Sequence, residues 1–327
     1  MKAIVIGEPG GPEVLRLEEV PEPAPRPDHV LLDVHATALN RADLLQRRGV
    51  YPPPPGESEI LGLECAGVVA EAPAGSALRA GDRVMALLPG GGYAERVVIH
   101  EKMAIPIPAA MSFEEAAAIP EAFLTAREAL FTLGATRPGD AVLVHAAAGG
   151  VGSAAVQLAK NAGAKVLATA GSDEKVRRVL ALGADVAVDY HTVDFADAVL
   201  TATDRKGTNV VLDFVGGAYW EKHARCLAIA GRVVVIGVLG GASADVNLAQ
   251  LLMRRYQILG LVMRSRPLAD KIAITQAFIR ESLPSFDGPS PRLKPIIDSV
   301  VPFADVIKAH ERMETNENVG KIVLKIR

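Results

Sequence analysis

The chain has 327 residues, half of them apolar and 22% charged, a globular balance with length for about two domains at ~150 residues each. The formal net charge is −3, from 35 Lys+Arg against 38 Asp+Glu, and no Lys/Arg-rich run is present to grip a phosphate backbone, so no nucleic-acid partner is expected. Two cysteines, Cys65 and Cys226, exclude a multi-disulfide scaffold and suit a reducing compartment.

The opening MKAIVIGEPGGPE lacks the charged-then-apolar layout of a signal peptide, and a cytoplasmic protein is expected. Over the first ~120 residues, short apolar or alternating runs at 3–6, 30–36, 67–70 and 83–86 read as strands. They alternate with proline- and glycine-rich turns at 21–27, 52–56 and 89–92, the pattern of an irregular β domain. No helical period appears before 112–118, where Ser112 and Glu115 have capping-box spacing.

From residue 141 the character changes. Apolar runs at 141–145, 166–170, 186–188, 210–214 and 233–237 alternate with helical segments at 152–162, 173–182, 193–202 and about 219–229. Near-continuous hydrophobic strands in βαβα order predict a doubly wound parallel sheet covered on both faces, with 258–262 as a sixth strand. The tail from about 267 shows one good helix near 306–313 and a strand at 321–325, too little to fold alone. The expected division is 1–120, with 267–327 packing back onto it, and 121–266. The uncharged stretch 141–159 is nearly long enough to span a bilayer, but Gly149, Gly150 and Gly152 interrupt it, and no membrane segment is expected.

Between the first strand of that alternation and its helix runs Ala146-Ala147-Ala148-Gly149-Gly150-Val151-Gly152, an A-x-x-G-x-x-G turn. Glycines allow a tight turn and close approach to a pyrophosphate, and the helix start presents amide N–H groups and a positive dipole end. A carboxylate at the end of the next strand would select a free ribose 2′-hydroxyl. Here that strand ends Ala168-Thr169-Ala170-Gly171-Ser172, with Lys175 close behind, and these small hydroxylated and cationic groups favour a 2′-phosphate, hence NADP. No C-x-x-C, no H-x-x-x-H and no G-x-S-x-G occurs, so neither a bound metal nor an elbow serine nucleophile is expected.

The segment 145–160, HAAAGGVGSAAVQLAK, resembles the nucleotide fingerprint of the zeta-crystallin-like quinone oxidoreductases in the medium-chain dehydrogenase/reductase superfamily. Residues 40–44 (NRADL) and 46–56 (QRRGVYPPPPG) are similar to that group's first active-site loop. Residues 60–67 (ILGLECAG), 87–93 (LLPGGGY), 118–126 (AIPEAFLTA) and 319–324 (VGKIVL) resemble further motifs in the same order, nearest to its tumour-suppressor-inducible branch. Zinc-dependent members carry G-H-E where this chain has Gly62-Leu63-Glu64, so the resemblance implies a zinc-free enzyme.

It further implies a GroES-like catalytic domain with a Rossmann domain, the active site in the cleft between them, and hydride transfer from NADPH to a quinone. Asn40 and Thr125 would lie near the nicotinamide and Gly149, Gly150, Val151 and Gly152 at the pyrophosphate. Ser172, Lys175 and Tyr190 would surround the 2′-phosphate. Gly237, Val238, Leu239, Leu261, Val262 and Met263 would line the nicotinamide side, and Tyr51 would face the acceptor; Tyr51 and Asn40 are the catalytic candidates. A homodimer or homotetramer joined through the edge of the Rossmann sheet is implied as well. Two rivals stay open: an NADPH-dependent 2-alkenal or enoyl reductase, and a low-turnover NADPH-binding regulatory or structural protein.

Overall fold

Alternation builds the first part of the chain into antiparallel sheet. β1 (Lys2–Ile6) pairs with β2 (Leu15–Glu19) as a two-stranded ribbon. β3 (His29–Ala38) buries Val30, Leu32, Val34 and Ala36, every second side chain, against one face. Beside it run β4 (Glu64–Glu71), β5 (Arg83–Leu87), β6 (Arg96–His100) and the short β7 (Ile105–Pro106), all in antiparallel pairs. Register shifts interrupt the β3–β4 ladder at Leu31/Leu32 and Val34/Ala36, the bulges that bend a sheet toward closure.

Three helices accompany these strands: α1 (Arg41–Arg47), α2 (Phe113–Ala117) and α3 (Pro120–Arg127). α1 departs from the sequence reading, which has only strands and loops before residue 112. Its seven residues are too few to show a period, and what starts it is local: the Asp43 carboxylate accepts the Asn40 N–H at 2.7 Å. α2 begins where expected, with Ser112 and Glu115 bonded reciprocally.

The middle of the chain alternates β8 (Ala141–Val144), α4 (Gly150–Asn161), β9 (Lys165–Ala170), α5 (Asp173–Ala181), β10 (Val186–Asp189), α6 (Phe195–Ala202), β11 (Thr208–Asp213), α7 (Trp220–Cys226), β12 (Leu227–Val235), α8 (Leu248–Arg254) and β13 (Gln257–Gly260). Every pairing in this sheet is parallel, in the order β10-β9-β8-β11-β12-β13. β8 and β9 lie in the interior, and nearly every side chain of both is buried, which is why they read as unbroken apolar runs. The chain leaves β8 toward β9 on one side and returns through β11 on the other, so the topological switch point lies at the carboxyl end of β8.

Boundaries at the α7–β12 junction and at β13 are among those that differ from expectation. The helix expected to about residue 229 stops at Cys226, because Leu227 already pairs with Thr208 across a bulge, while Ala230 turns left-handed at φ +59° before Gly231. The sixth strand is Gln257–Gly260, not 258–262.

The tail holds a helix that the sequence pattern does not reveal, α9 (Leu268–Glu281), followed by β14 (Ile297–Pro302), α10 (Val306–Glu314) and β15 (Lys321–Lys325). Pro267 precedes α9 with no capping side chain, so its start carries no signal. β15 pairs antiparallel with β3 and parallel with β14.

This computed structural model describes residues 1–327 and divides into two compact units, Met1–Leu124 with Met263–Arg327, and Thr125–Val262. The first has apolar clusters around Ile4, Leu39, Tyr93 and Leu324 and around Val30, Val84 and Ile99. The second is packed around Leu143, Leu167, Phe195 and Val211. No helix is long and apolar enough to cross a membrane.

Candidate active site

In the second unit, β8 ends at a turn made almost wholly of backbone. Ala146 adopts φ +44°, the left-handed region, and its carbonyl accepts the Gly149 N–H at 2.9 Å. The Ala147 N–H is tied to Thr169 O on β9 at 3.0 Å. Only glycine fits at 152, since a Cβ there would stand 2.3 Å from Ala146 O and 2.7 Å from Ala147 Cα. The α4 ladder begins with Ser153 N–H to Gly149 O, and no side chain caps the helix start. The amides of Gly150, Val151 and Gly152 are thus the helix's uncapped first turn, at the switch point, where a diphosphate is bound by N–H groups and dipole. The residues fit a dinucleotide.

The carboxyl ends of β9 and β10 bring three of the expected residues together. Ser172 caps α5 by accepting the Lys175 N–H at 3.3 Å. Tyr190, following β10, bonds its N–H to Ala170 O at 3.1 Å, and a Cβ on Gly171 would lie 2.7 Å from its hydroxyl. Gly171 therefore lets the phenol reach the Ser172 turn. The first carboxylate after β9 is Asp173, on exposed surface.

Further along the same edge, Gly237 bonds Asp213 O, and Val238 and Leu239 are exposed on the loop after β12. Leu261 is buried and Val262 exposed, whereas Met263 is buried and belongs to the first unit. Thr125 is buried with no partner for its hydroxyl. Beneath the turn, His145 hydrogen-bonds His223 through their Nε2 atoms at 2.8 Å and Thr169 Oγ1 through Nδ1 at 2.9 Å. Burial holds both imidazoles neutral, with His223 pushed down to about 3 and His145 well below its ordinary value.

In the first unit, Asn40 sits in a buried charged network that the sequence does not announce. Its Nδ2 donates to Glu64 Oε1 at 2.9 Å, and its Oδ1 accepts from Lys321 Nζ at 2.6 Å. The Lys321 ammonium also donates to Leu39 O and pairs with Glu64 Oε1, each at 2.6 Å, with side-chain exposures of only 5% and 0%. Glu64 Oε2 accepts the Glu121 N–H at 2.9 Å. Every oxygen and proton of this ion pair is thus occupied, the condition under which a buried pair is tolerated.

Asp43 accepts from Asn40 N, Gly62 N and the Tyr93 hydroxyl, and burial pushes it up to about 6 against those bonds. Burial, then the Glu64 charge, raises Glu121 to about 8. Tyr51 is half-buried on its proline loop; burial raises its phenol above the ordinary range, with Arg264 pulling it down and Glu121 pushing it up. Glu121, Lys321 and Arg264 are absent from the sequence reading. The only available hint is Lys321, a buried charge directly before the apolar run Ile322-Val323-Leu324.

Both units have known counterparts. Residues 26–109 match the family described as "Alcohol dehydrogenase GroES-like domain", and residues 150–277 that described as "Zinc-binding dehydrogenase". A quinone oxidoreductase of Rattus norvegicus is 33% identical, over 99% of this chain and 97% of its own. Among solved structures, the quinone oxidoreductase of Thermus thermophilus, studied also in complex with NADPH, is 38% identical with a TM-score of 0.83, over 100% of this chain and 100% of its own. The CurK enoyl reductase is 29% identical with a TM-score of 0.87, over 100% of this chain and 99% of its own. Zinc does not fit the donor set: Leu63 is buried apolar surface, Glu64 is held by Lys321 and Asn40, and no three His, Cys, Asp or Glu side chains gather to hold a metal.

Proposed function

Because the chain belongs to the zeta-crystallin-like quinone oxidoreductase family of the medium-chain dehydrogenase/reductase superfamily, an NAD(P)-dependent oxidoreductase fold, we propose that it reduces quinones with NADPH. The observation that carries this reading is the pairing of the uncapped Gly149–Gly152 turn with Ser172, Lys175 and Tyr190 grouped at the neighbouring strand ends. The amides of Gly150, Val151 and Gly152 would hold the pyrophosphate. Ser172 and Tyr190 offer hydroxyls and Lys175 an ammonium to the 2′-phosphate, with no carboxylate in the place that would select the 2′-hydroxyl. Thr125, Asn40, Gly237, Val238, Leu239, Leu261, Val262 and Met263 are proposed for the nicotinamide side.

Bound NADPH supplies the hydride. The sum is NADPH, a quinone and one proton giving NADP and the hydroquinone. Tyr51, a phenol protonated at neutral pH and pushed further up by burial, would donate a hydrogen bond to the acceptor oxygen, and water would supply the proton, because a reduced quinone oxygen needs no strong acid. Asn40 is held by Glu64 and Lys321 in a fixed rotamer, as an orienting amide requires.

Reduction of the C=C bond of an enone or enoyl thioester is the second reading, favoured by the likeness to an enoyl reductase. Parallel NADPH-oxidation assays with a naphthoquinone and an alkenal separate the two. Turnover of the quinone supports the first reading, and turnover of the alkenal alone overturns it. NADPH binding without oxidation by either acceptor would leave the low-turnover role.

A homodimer is part of this proposal. β13 is an edge strand, and α8 beside it exposes Leu252 and Met253 by 75% and 78%. A second copy would cover both features. Light scattering that returns a monomer contradicts it.

A further inference from the structure

A guanidinium is seldom buried without a structural task, and Arg264 is only 5% exposed. All three of its nitrogens are engaged within the first unit. Nε donates to Pro89 O at 2.7 Å, Nη1 to Tyr51 O at 3.2 Å and Nη2 to Gln46 Oε1 at 2.7 Å. Its central carbon lies 5.3 Å from the centroid of the Tyr51 ring, within cation–π range. Gln46, near the end of α1, passes the restraint on by donating to Glu59 O at 2.8 Å, and Lys271 Nζ donates to the Arg264 carbonyl at 3.3 Å. One side chain thus joins α1, the loop that carries Tyr51 and the loop at Pro89.

The Tyr51 loop needs an external restraint. Pro52, Pro53, Pro54 and Pro55 have no backbone N–H, so this stretch cannot join a ladder or close on itself through its own amides. Its one internal backbone bond is Glu57 N–H to Pro54 O. The Val50 N–H ties the start of the loop to Leu45 O at 3.0 Å; beyond it Tyr51 is held through its carbonyl and its ring face, and Arg264 touches both.

We propose that Arg264 is a positioning residue for acceptor reduction, a planar fork that fixes the orientation of Tyr51 and so the acceptor pocket. The inference rests on the reading that Tyr51 faces the acceptor. A lysine cannot replace the fork, because its single ammonium reaches one of the three partners and presents no plane to the ring.

The test compares Arg264→Lys with wild type by hydrogen exchange over residues 46–57 and by NADPH oxidation with 1,4-naphthoquinone. Exchange in that segment should quicken about tenfold, while KM for the quinone rises about tenfold, kcat changes by less than about threefold and NADPH affinity holds. Gln46→Leu removes one arm without stranding the charge and should shift both readouts the same way by less. In a Tyr51→Ala background Arg264→Lys should add no further loss, the non-additivity expected of residues acting through one another.

Unchanged exchange over 46–57, equal acceleration across the whole first unit, or an additive loss in the double variant would each overturn the inference. Should wild-type protein oxidise NADPH with no quinone, the substrate reading fails on its own, and the exchange result still decides whether Arg264 holds the loop.

Discussion

The candidate sites of the two units are built from opposite materials. The cofactor turn of the second unit is glycine, alanine and main-chain amide, with its shape fixed by φ angles and by contacts such as the 2.3 Å that a Cβ at Gly152 would make with Ala146 O. The region around Asn40 in the first unit is side-chain charge, in which Asp43, Glu64, Glu121, Arg264 and Lys321 pack within a low-dielectric interior. A backbone site tolerates change everywhere except at the residues that set its conformation. A charged site fails whenever one partner is removed and another is left buried and unpaired.

That contrast gives the largest expected effect. Lys321→Met strands the Glu64 carboxylate and should cost about 3–5 kcal/mol of stability by denaturant unfolding, while replacing Glu64 as well, by Leu, recovers much of the loss. A loss under about 1 kcal/mol for Lys321→Met would mean the pair is not carrying that desolvation. Next is Gly152→Ala, expected to weaken NADPH binding about 100-fold, or roughly 2.7 kcal/mol, with far-UV circular dichroism unchanged. Binding within threefold of wild type would break the account of the turn.

Acid should separate the units. His145 and His223 are held neutral below their ordinary value of 6.5, so the unfolded chain binds more protons. Their contribution is complete above about pH 6.5 and is lost as pH falls below it, for His223 down to about 3. Asp43 and Glu121 have the opposite sign. Raised to about 6 and about 8, they are destabilising when ionised, and protonation relieves the first unit as pH falls through those values, offsetting the buried His310 there. Hydrogen exchange corrected for intrinsic rates should therefore show the second unit loosening more between pH 7 and pH 5. Equal loosening would remove the sharpest consequence of the comparison. The smallest expected effect is at Lys175, where Lys175→Ala should weaken NADPH about fivefold and leave NADH unchanged, as read by cofactor fluorescence. Equal losses for both would end the 2′-phosphate assignment.

The same contrast explains what the sequence makes legible. The turn, its helix and the alternating strands of the parallel sheet are local in the chain: spacing, glycines and apolar runs within ~30 residues specify them, and their order can be read directly. Ser172 and Tyr190 are farther apart but lie at the ends of neighbouring strands, so the βαβ pattern itself brings them together. Glu64, Asn40, Glu121 and Lys321 come from four separated segments: the pairings of β3 with β4 and of β15 with β3 bring three of them together, and the start of α3 joins through the Glu121 N–H on Glu64. No periodicity encodes such a meeting. α1 and α9 escape the sequence pattern for a different reason, since one is too short for a period and the other starts without a capping side chain. Arg264 gives no signal at all, because a single arginine after an apolar strand reads as a surface residue until the loops it holds are in place.

Isothermal titration of the purified protein with NADPH and with NADH decides whether the Gly149–Gly152 turn holds a dinucleotide. One site per chain, several-fold tighter for NADPH and abolished by Gly152→Ala, is the predicted result. No heat with either nucleotide, or binding that Gly152→Ala leaves intact, would contradict it.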